Sequence, residues 1–299
     1  MSQVFQIPTQ KDRTAVNMAQ MATSIAVQRP YFAFDSLYKV SGEWDIWGDF
    51  KPEQPLGSEL GPLATAEAGR HLAILGSCAA ALAQVEGERV YYLASRAHWD
   101  LRYNPMRFGQ TPLMTARAKI VERSRKRVLA RTELLIEGQL YAELSVDYQV
   151  LSEKTFQKLF SNHLVPTTSS SVSSPYAEAF PLSVLTLSEQ EITAESVGFS
   201  AARCEGHFPD YPTWPVAVVM YGLSQVMSRL LDHKVGRVTP FRLLHVTLAA
   251  DELVSADKQL LISACFSSVS TDGKLCDVVC NAAYGDRVIA TTQAKVAIE

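Results

Sequence analysis

The residues best suited to chemistry lie close together in the second half of the chain. Residues 206–225 read GHFPDYPTWPVAVVMYGLSQ, in which His207 follows a glycine and precedes three prolines at intervals of three. An imidazole with a pKa of about 6.5 can accept a proton at neutral pH, which makes His207 a candidate general base. The sequence contains no Ser-His-Asp order, P-loop, dinucleotide fingerprint or H-E-x-x-H zinc motif, and we predict no metal site.

These residues resemble the β-hydroxyacyl thioester dehydratases of fatty-acid and polyketide synthesis. The motif of that family runs G-H-F-P-x-x-P-x-x-P-G, with an acidic residue six positions after the last proline and a glutamine four positions further on. Seven residues match it without a gap: Gly206, His207, Phe208, Pro209, Pro212, Pro215 and Gln225. Two positions depart, because Val216 replaces a glycine and Tyr221 replaces the acid. The resemblance implies that His207 removes the α-proton of a 3-hydroxyacyl thioester and that Phe208 contacts the substrate.

The acid that dehydration also needs is found in the first half of the chain. Departure of a β-hydroxyl requires protonation, and tyrosine, with a pKa of about 10, is a poor donor. Residues 61–82 read GPLATAEAGRHLAILGSCAAAL and place Glu67 at the position of Tyr221, while Asp49 aligns with His207. Asp49 and Glu67 are 18 positions apart and His207 and Tyr221 are 14, so the alignment assumes a longer loop in the first half.

In the dehydratase family the histidine of one hotdog unit shares a site with the acid of the other unit. The resemblance therefore implies one complete site, in which Glu67 protonates the β-hydroxyl. A carboxyl group in an apolar tunnel would have a raised pKa, which suits a proton donor. The family also binds the thioester carbonyl with a backbone N–H at the start of the acid-bearing helix; Pro62 lacks an N–H, so we expect Leu63 to supply it. His71 either orients Glu67 or the substrate, or is a satisfied core histidine.

Two copies of one structural unit are predicted on either side of the Ser/Thr-rich segment 166–175. Each copy has strand-like segments, one helix rich in small residues, and three long strand candidates. The helices are predicted over 62–84 and 215–232, and the later strands over 112–123, 126–137, 139–151, 241–249, 258–268 and 273–298. A helix that is apolar all round is buried, which favours an α+β double hotdog: two antiparallel sheets, each wrapping a long central helix. The predicted domains are an N-terminal extension (1–26), a hotdog (27–155), a linker (156–178) and a second hotdog (179–299).

Composition limits the partners and the compartment. The chain has 299 residues, 47% of them hydrophobic and 20% charged, which is typical of a soluble globular protein. A net charge of −3 gives no bulk attraction for nucleic acid or anionic lipid. Five cysteines without a C-x-x-C pair, and a start without a recognisable signal peptide, predict free thiols in the cytoplasm. The most apolar window, 60–82, contains Glu67, Arg70 and His71, so we expect no membrane span.

The leading functional prediction is a 3-hydroxyacyl thioester dehydratase, a hydro-lyase that forms a 2-enoyl thioester in fatty-acid or polyketide biosynthesis. Acyl carrier protein or coenzyme A would carry the substrate on phosphopantetheine without a further cofactor, and the chain would act as a monomeric pseudo-dimer or a homodimer. A hotdog acyl thioesterase is an alternative that would use Glu67 to activate water and would not need His207. An acyltransferase of the butyrolactone-signal type, similar over 67–71 (EAGRH), and a non-catalytic acyl-binding or synthase scaffold protein are further alternatives.

Overall fold

The chain forms thirteen strands and four α-helices in the residues that the computed structural model describes, which are 5–84, 88–102, 113–165, 174–197 and 201–299. The strands are β1 (Thr14–Ala15), β2 (Phe34–Lys39), β3 (Ile46–Phe50), β4 (Val90–Leu101), β5 (Met114–Arg123), β6 (Arg127–Ile136), β7 (Gln139–Ser152), β8 (Leu182–Leu187), β9 (Glu191–Ser196), β10 (Phe241–Ala250), β11 (Leu261–Val269), β12 (Leu275–Tyr284) and β13 (Arg287–Ile298). The helices are α1 (Met18–Ser24), α2 (Thr65–Ala81), α3 (Glu153–Leu159) and α4 (Val216–Val235).

The strands join into one antiparallel sheet that runs through both halves of the molecule. Its order is β1-β2-β3-β5-β6-β7-β4-β10-β13-β12-β11-β9-β8. The two halves meet where β4 pairs with β10, with Trp99 opposite Val246. Helix α2 packs on the first-half strands and α4 on the second-half strands. The predicted α+β double hotdog is confirmed, and its two sheets are continuous through β4 and β10.

The two long helices pack in different ways. Helix α2 buries 15 of its 17 residues, because alanine and glycine let the sheet approach from nearly every side. A Cβ at Gly76 would lie 2.5 Å from the hydroxyl of Tyr148, which donates a hydrogen bond to the carbonyl oxygen of Ala73 at 2.6 Å. Helix α4 buries one side, at intervals of three and four residues: Val219, Gly222, Leu223, Val226, Met227, Leu230 and Leu231.

The structure corrects two expectations about the first half. Strand β4 was not predicted, although Ala97 and Trp99 alternate with polar residues along it. The alignment of Asp49 with His207 is wrong, because Asp49 lies within β3 and accepts hydrogen bonds from Arg13 at 2.7 Å and Thr115 at 2.8 Å. Fewer residues also separate strand from helix in the first half, where 14 lie between β3 and α2, than in the second half, where 19 lie between β9 and α4.

The segments outside the two predicted hotdogs contribute to the core. Ile25, in the predicted N-terminal extension, is 1% exposed. The ring of Phe156, at the start of the predicted linker, stacks on Tyr91 with 3.6 Å between ring centroids. Residues 166–173 of that linker lie outside the described residues, and the domain boundaries stay predictions.

Candidate functional site

A cavity of about 230 Å³ lies between α2, which borders it from Thr65 to Ser77, and the start of α4. Thr65, Ala66 and Gly69 of α2 border it on one side. Val216, Ala217 and Met220 of α4 border it on the other, and the junction strands β4 and β10 contribute mostly apolar side chains. Because the wall combines both halves, neither half alone could form this cavity.

The loop that carries His207 docks onto the first half of the chain. Gly206 has a φ of +85°, and a Cβ there would lie 2.2 Å from the carbonyl oxygen of Gln28, so this left-handed position requires glycine. The N–H of Gln28 donates to the carbonyl oxygen of Gly206 at 2.7 Å, and Val27 forms a β-bridge with His207. These backbone contacts hold the His207 loop of the second hotdog against the first.

The His207 ring borders the cavity as a neutral imidazole. It stacks on Phe208 with 3.9 Å between ring centroids and meets the edge of Tyr31 at 4.9 Å. Burial lowers the pKa of His207 to about 3, and a hydrogen bond to the backbone of Thr213 opposes that shift. Its Nδ1 is shut off from solvent and has no hydrogen-bond partner in the described part of the chain. At neutral pH the His207 ring is therefore unprotonated and keeps a nitrogen lone pair, and burial makes it a weaker base than imidazole in water.

Phe208 also borders the cavity, and its role as a substrate contact stays a prediction. Its φ of +50° turns the chain after His207. The ring packs edge-on against Tyr91 and Phe156, at centroid distances of 5.2 and 5.3 Å. This aromatic cluster fixes one wall of the cavity.

The carboxyl group of Glu67 occupies a different environment from His207. Glu67 is fully buried and accepts hydrogen bonds from the backbone N–H groups of Glu53 at 2.7 Å and Gln54 at 3.1 Å. Burial raises the pKa of Glu67, while the guanidinium of Arg70 and the two backbone hydrogen bonds lower it. Among the described residues, His207 borders the cavity and Glu67 does not. The cavity therefore gives no support to the prediction that the two side chains act on one substrate.

Arg70 takes the position on α2 that Tyr221 takes on α4. Each lies six residues after the N-cap of its helix, Ala64 or Pro215. The Arg70 side chain is 2% exposed, and its Nη2 donates to Glu53 at 2.5 Å. Its Nε and Nη1 have no hydrogen-bond partner in the described chain. Sequence reasoning missed this buried cation because the alignment placed Glu67 there.

The other two predicted substrate contacts are core residues. His71 is fully buried and stacks on Phe50 with 3.9 Å between ring centroids; burial lowers its pKa well below the usual value, and Arg70 lowers it further. Leu63 is 1% exposed. Neither residue is among the described residues that border the cavity, whereas Thr65 and Ala66 at the start of α2 are.

A buried polar cluster at the start of α2 was also missed from the sequence. Glu59 is 6% exposed and accepts hydrogen bonds from the N–H of Thr65 at 2.8 Å and from its hydroxyl at 2.5 Å. The hydroxyl of Ser224 on α4 donates to the second oxygen of Glu59 at 3.4 Å. An acid six positions before a helix-starting threonine matches no common motif, so only the folded loop brings them together.

Comparisons with known proteins identify the fold. No protein-family model and no curated protein matches the chain. A TesB protein from Mycobacterium avium subspecies paratuberculosis has a TM-score of 0.58 at 10% identity, covering 95% of this chain and 100% of that one. Acyl-CoA thioesterase II TesB2 from Mycobacterium marinum has a TM-score of 0.51 at 9% identity, with 85% and 91% covered. The 12:0-ACP thioesterase from Umbellularia californica has a TM-score of 0.51 at 7% identity, with 85% and 94% covered.

These likenesses establish a double hotdog fold for the chain. At such identities they assign no activity, and the three proteins carry TesB or thioesterase names rather than dehydratase names. The resemblance to dehydratases therefore rests on the motif at 206–225 alone. Among the described residues, no helix is long and apolar enough to cross a membrane, and no cluster of His, Cys, Asp and Glu could hold a metal ion.

Proposed function

We propose that this protein hydrolyses acyl thioesters in the cavity between α2 and α4. The environment of His207 carries the proposal. A neutral imidazole borders an apolar cavity, and the carboxyl group of Glu67 is not among the described groups that border it. His207 would remove a proton from the attacking water.

Leaving-group chemistry favours hydrolysis where one base acts without a buried carboxylic acid beside it. Among the described residues, the two carboxylates that border the cavity, Asp251 and Glu252, are exposed. They form ion pairs with Arg96 at 2.8 Å and Arg287 at 2.9 Å, respectively. A thiol has a pKa of about 8.5, so a thiolate can leave from the tetrahedral intermediate without a strong general acid. A β-hydroxyl must be protonated as it leaves, and dehydration therefore needs an acid as well as a base. His207 alone satisfies the first requirement but not the second.

The start of α2 would stabilise the oxyanion that forms during hydrolysis. The first N–H groups of a helix have no partner within it, and the helix dipole places partial positive charge there. Ala66 lies in this first turn and borders the cavity, so its N–H replaces that of Leu63 as our candidate oxyanion donor. The acyl chain would lie against the apolar part of the wall, near Trp99, Met220 and Val246.

The names of the similar structures support the same class of substrate. An acyl-CoA thioesterase and a 12:0-ACP thioesterase share the double hotdog fold with this chain. The sequence alternative of a thioesterase placed its base at Glu67. We place it at His207 instead, because both oxygens of Glu67 accept backbone hydrogen bonds from 53 and 54.

Dehydration of a 3-hydroxyacyl thioester is the second candidate. One observation favours it: seven residues of the dehydratase motif match in register, and the histidine among them borders the cavity. It would require Glu67, or another group of the wall, to protonate the leaving hydroxyl.

One substrate can distinguish the two reactions. Purified protein is incubated with a 3-hydroxyacyl-CoA, and the products are separated and identified by mass. Hydrolysis yields free thiol and the 3-hydroxy acid, whereas dehydration yields the 2-enoyl thioester. The variants are His207→Gln, Glu67→Gln and, as a matched control, His233→Gln at an exposed histidine near the end of α4.

The two candidates predict different results. We expect free thiol from the wild type, retained activity in Glu67→Gln and His233→Gln, and a loss of about 10²- to 10⁴-fold in His207→Gln, the usual contribution of a general base. Enoyl thioester as the main product, together with loss of its formation in Glu67→Gln, would instead establish dehydration.

A further inference from the structure

A hydroxyl group and a buried carboxylate form a pair at the edge of the cavity. Thr65 is the first residue of α2 and borders the cavity. Its hydroxyl donates to Glu59 at 2.5 Å, a length typical of a charge-assisted O–H···O⁻ hydrogen bond. The use of His207 as a base leaves this pair without a role in hydrolysis.

We propose that Thr65 is a covalent nucleophile and that Glu59 is its general base. This inference rests on the proposed thioester hydrolysis and adds an acyl-enzyme intermediate to it. His207 would then act in the second step, on the water that hydrolyses the acyl-threonine ester.

The arrangement around Glu59 is that of an activated nucleophile. Such sites place the nucleophile within hydrogen-bond reach of a base, and a third group orients the base. Here the N–H of Thr65 and the hydroxyl of Ser224 both donate to the Glu59 carboxylate, at 2.8 and 3.4 Å. Ser224 belongs to α4, so this site also requires both halves of the chain.

The surroundings of the pair provide the remaining parts of an acyl-transfer site. Thr65 is followed directly by Ala66, whose N–H lies in the first turn of α2 and whose residue borders the same cavity. A carbonyl carbon attacked by the threonine hydroxyl would thus form its oxyanion beside the positive end of a helix. His207 borders this cavity from the opposite half of the chain.

The proposed reaction has two steps. In the first, the Thr65 oxygen attacks the thioester carbonyl carbon, its proton passes to Glu59, the C–S bond breaks, and the leaving thiolate takes that proton from Glu59. In the second, water attacks the new ester, its proton passes to His207, the bond from carbon to the Thr65 oxygen breaks, and the proton returns to that oxygen. The net products are a thiol and a carboxylic acid.

The pair also caps α2, so a test must separate chemistry from folding. Thr65→Ser keeps a hydroxyl in the same place, whereas Thr65→Val keeps the shape and removes the hydroxyl. Circular dichroism and thermal unfolding would establish that each variant is folded. Ser77, a second hydroxyl residue of α2 that borders the cavity, donates to the backbone of its own helix, so Ser77→Ala is the matched control.

The experiment traps the intermediate in the intact protein. Wild-type protein and His207→Gln are mixed with a saturated acyl-CoA, quenched in acid and digested, and the peptide containing Thr65 is analysed by mass spectrometry. Turnover is also measured with hydroxylamine present, using the CoA and N-acetylcysteamine thioesters of the same acid. A shared acyl-enzyme gives one ratio of hydroxamate to acid for both thioesters, because the leaving group has already departed.

We expect an acyl adduct on Thr65 that accumulates in His207→Gln, the same partition ratio for both thioesters, and at least about a hundredfold loss of hydrolysis in Thr65→Val that Thr65→Ser largely restores. Three results would overturn Thr65 as the nucleophile while the wild type still hydrolyses the thioester: no adduct on Thr65 in His207→Gln, a partition ratio that depends on the leaving group, or an active Thr65→Val. Each of them leaves the proposed function standing. Absence of thiol release by the wild type overturns the proposed function itself.

Discussion

Gly206 is the position at which a single methyl group should separate the His207 loop from the first half of the chain. In Gly206→Ala the new Cβ would lie 2.2 Å from the carbonyl oxygen of Gln28 and 2.8 Å from the backbone nitrogen of Tyr31. Both are backbone atoms that cannot rotate away. Relief requires the loop to move by roughly 1 Å, since non-bonded atoms pack at about 3.5 Å. That movement breaks the hydrogen bond from Gln28 and the bridge between Val27 and His207.

The size of the effect follows from these contacts and from a matched glycine. Gly57 also has a positive φ, +59°, but a Cβ there would meet no atom within 4 Å. Gly57→Ala should therefore cost only the conformational term, about 1–2 kcal/mol. Gly206→Ala should cost that amount plus the lost interface hydrogen bonds, about 0.5–1.5 kcal/mol each, so the difference between the variants should be about 1–3 kcal/mol.

Equilibrium unfolding in denaturant gives the two free energies, and thiol release gives the activity of each folded variant. A displacement of about 1 Å at a catalytic group can cost about a hundredfold in rate, so Gly206→Ala should lose activity while Gly57→Ala retains it. Equal stabilities, within about 0.5 kcal/mol, and equal activities in the two variants would refute the docking of the His207 loop on the first half.

Three further predictions concern charge, protonation and the cavity wall. Arg70→Met should lower the free energy of unfolding by about 3–5 kcal/mol, because it leaves the fully buried Glu67 without its cation. Arg89→Met removes one partner of a half-exposed ion pair and should lower that free energy by under about 1 kcal/mol in the same denaturant titration. His207 has a folded pKa of about 3 and an unfolded pKa of about 6.5, so the unfolded state alone binds this proton between those values and stability falls as pH falls. From pH 7 to pH 5 the wild type should lose about 2 kcal/mol more than His207→Gln; equal losses would contradict the neutral buried imidazole. Gly69 borders the cavity, and a Cβ there meets no atom within 4 Å, so Gly69→Ala should stabilise the protein by about 0.5–1 kcal/mol. The larger side chain of Gly69→Leu should fill part of the cavity and shift hydrolysis toward shorter acyl chains in a chain-length series.

The fold could be predicted because hydrophobic pattern determines it. The small residues of α2 and the alternation in the last strands of each half are local signals, and both elements form as the sequence predicts. Strand β4 gave a weaker signal, because its pairing with β7 is interrupted between Ala94 and Arg96. The resemblance to the dehydratase motif implies that His207 shares a site with Glu67 of the first half, and that role stays a prediction. The contacts of its loop with Val27 and Gln28 are visible only in the folded chain.

The positions of polar side chains on α2 could not be predicted as well. A shift of three residues along a helix rotates a side chain by about 60°, which is enough to exchange Glu67 for Arg70 at the position equivalent to Tyr221. The error came from the loop before the helix, whose length the alignment overestimated. The pairing of Glu59 with Thr65 depends on how that loop folds back, and no periodic pattern encodes it.

The rate of thiol release from a saturated acyl-CoA, compared between the wild type and His207→Gln, measures whether this protein hydrolyses thioesters with His207 as the base. Such a substrate has no β-hydroxyl, so dehydration is impossible and only cleavage of the thioester is measured. We expect steady thiol release by the wild type and a decrease of about 10²- to 10⁴-fold in His207→Gln, with His233→Gln unchanged. No release by the wild type, or equal release by the wild type and His207→Gln, would contradict this mechanism.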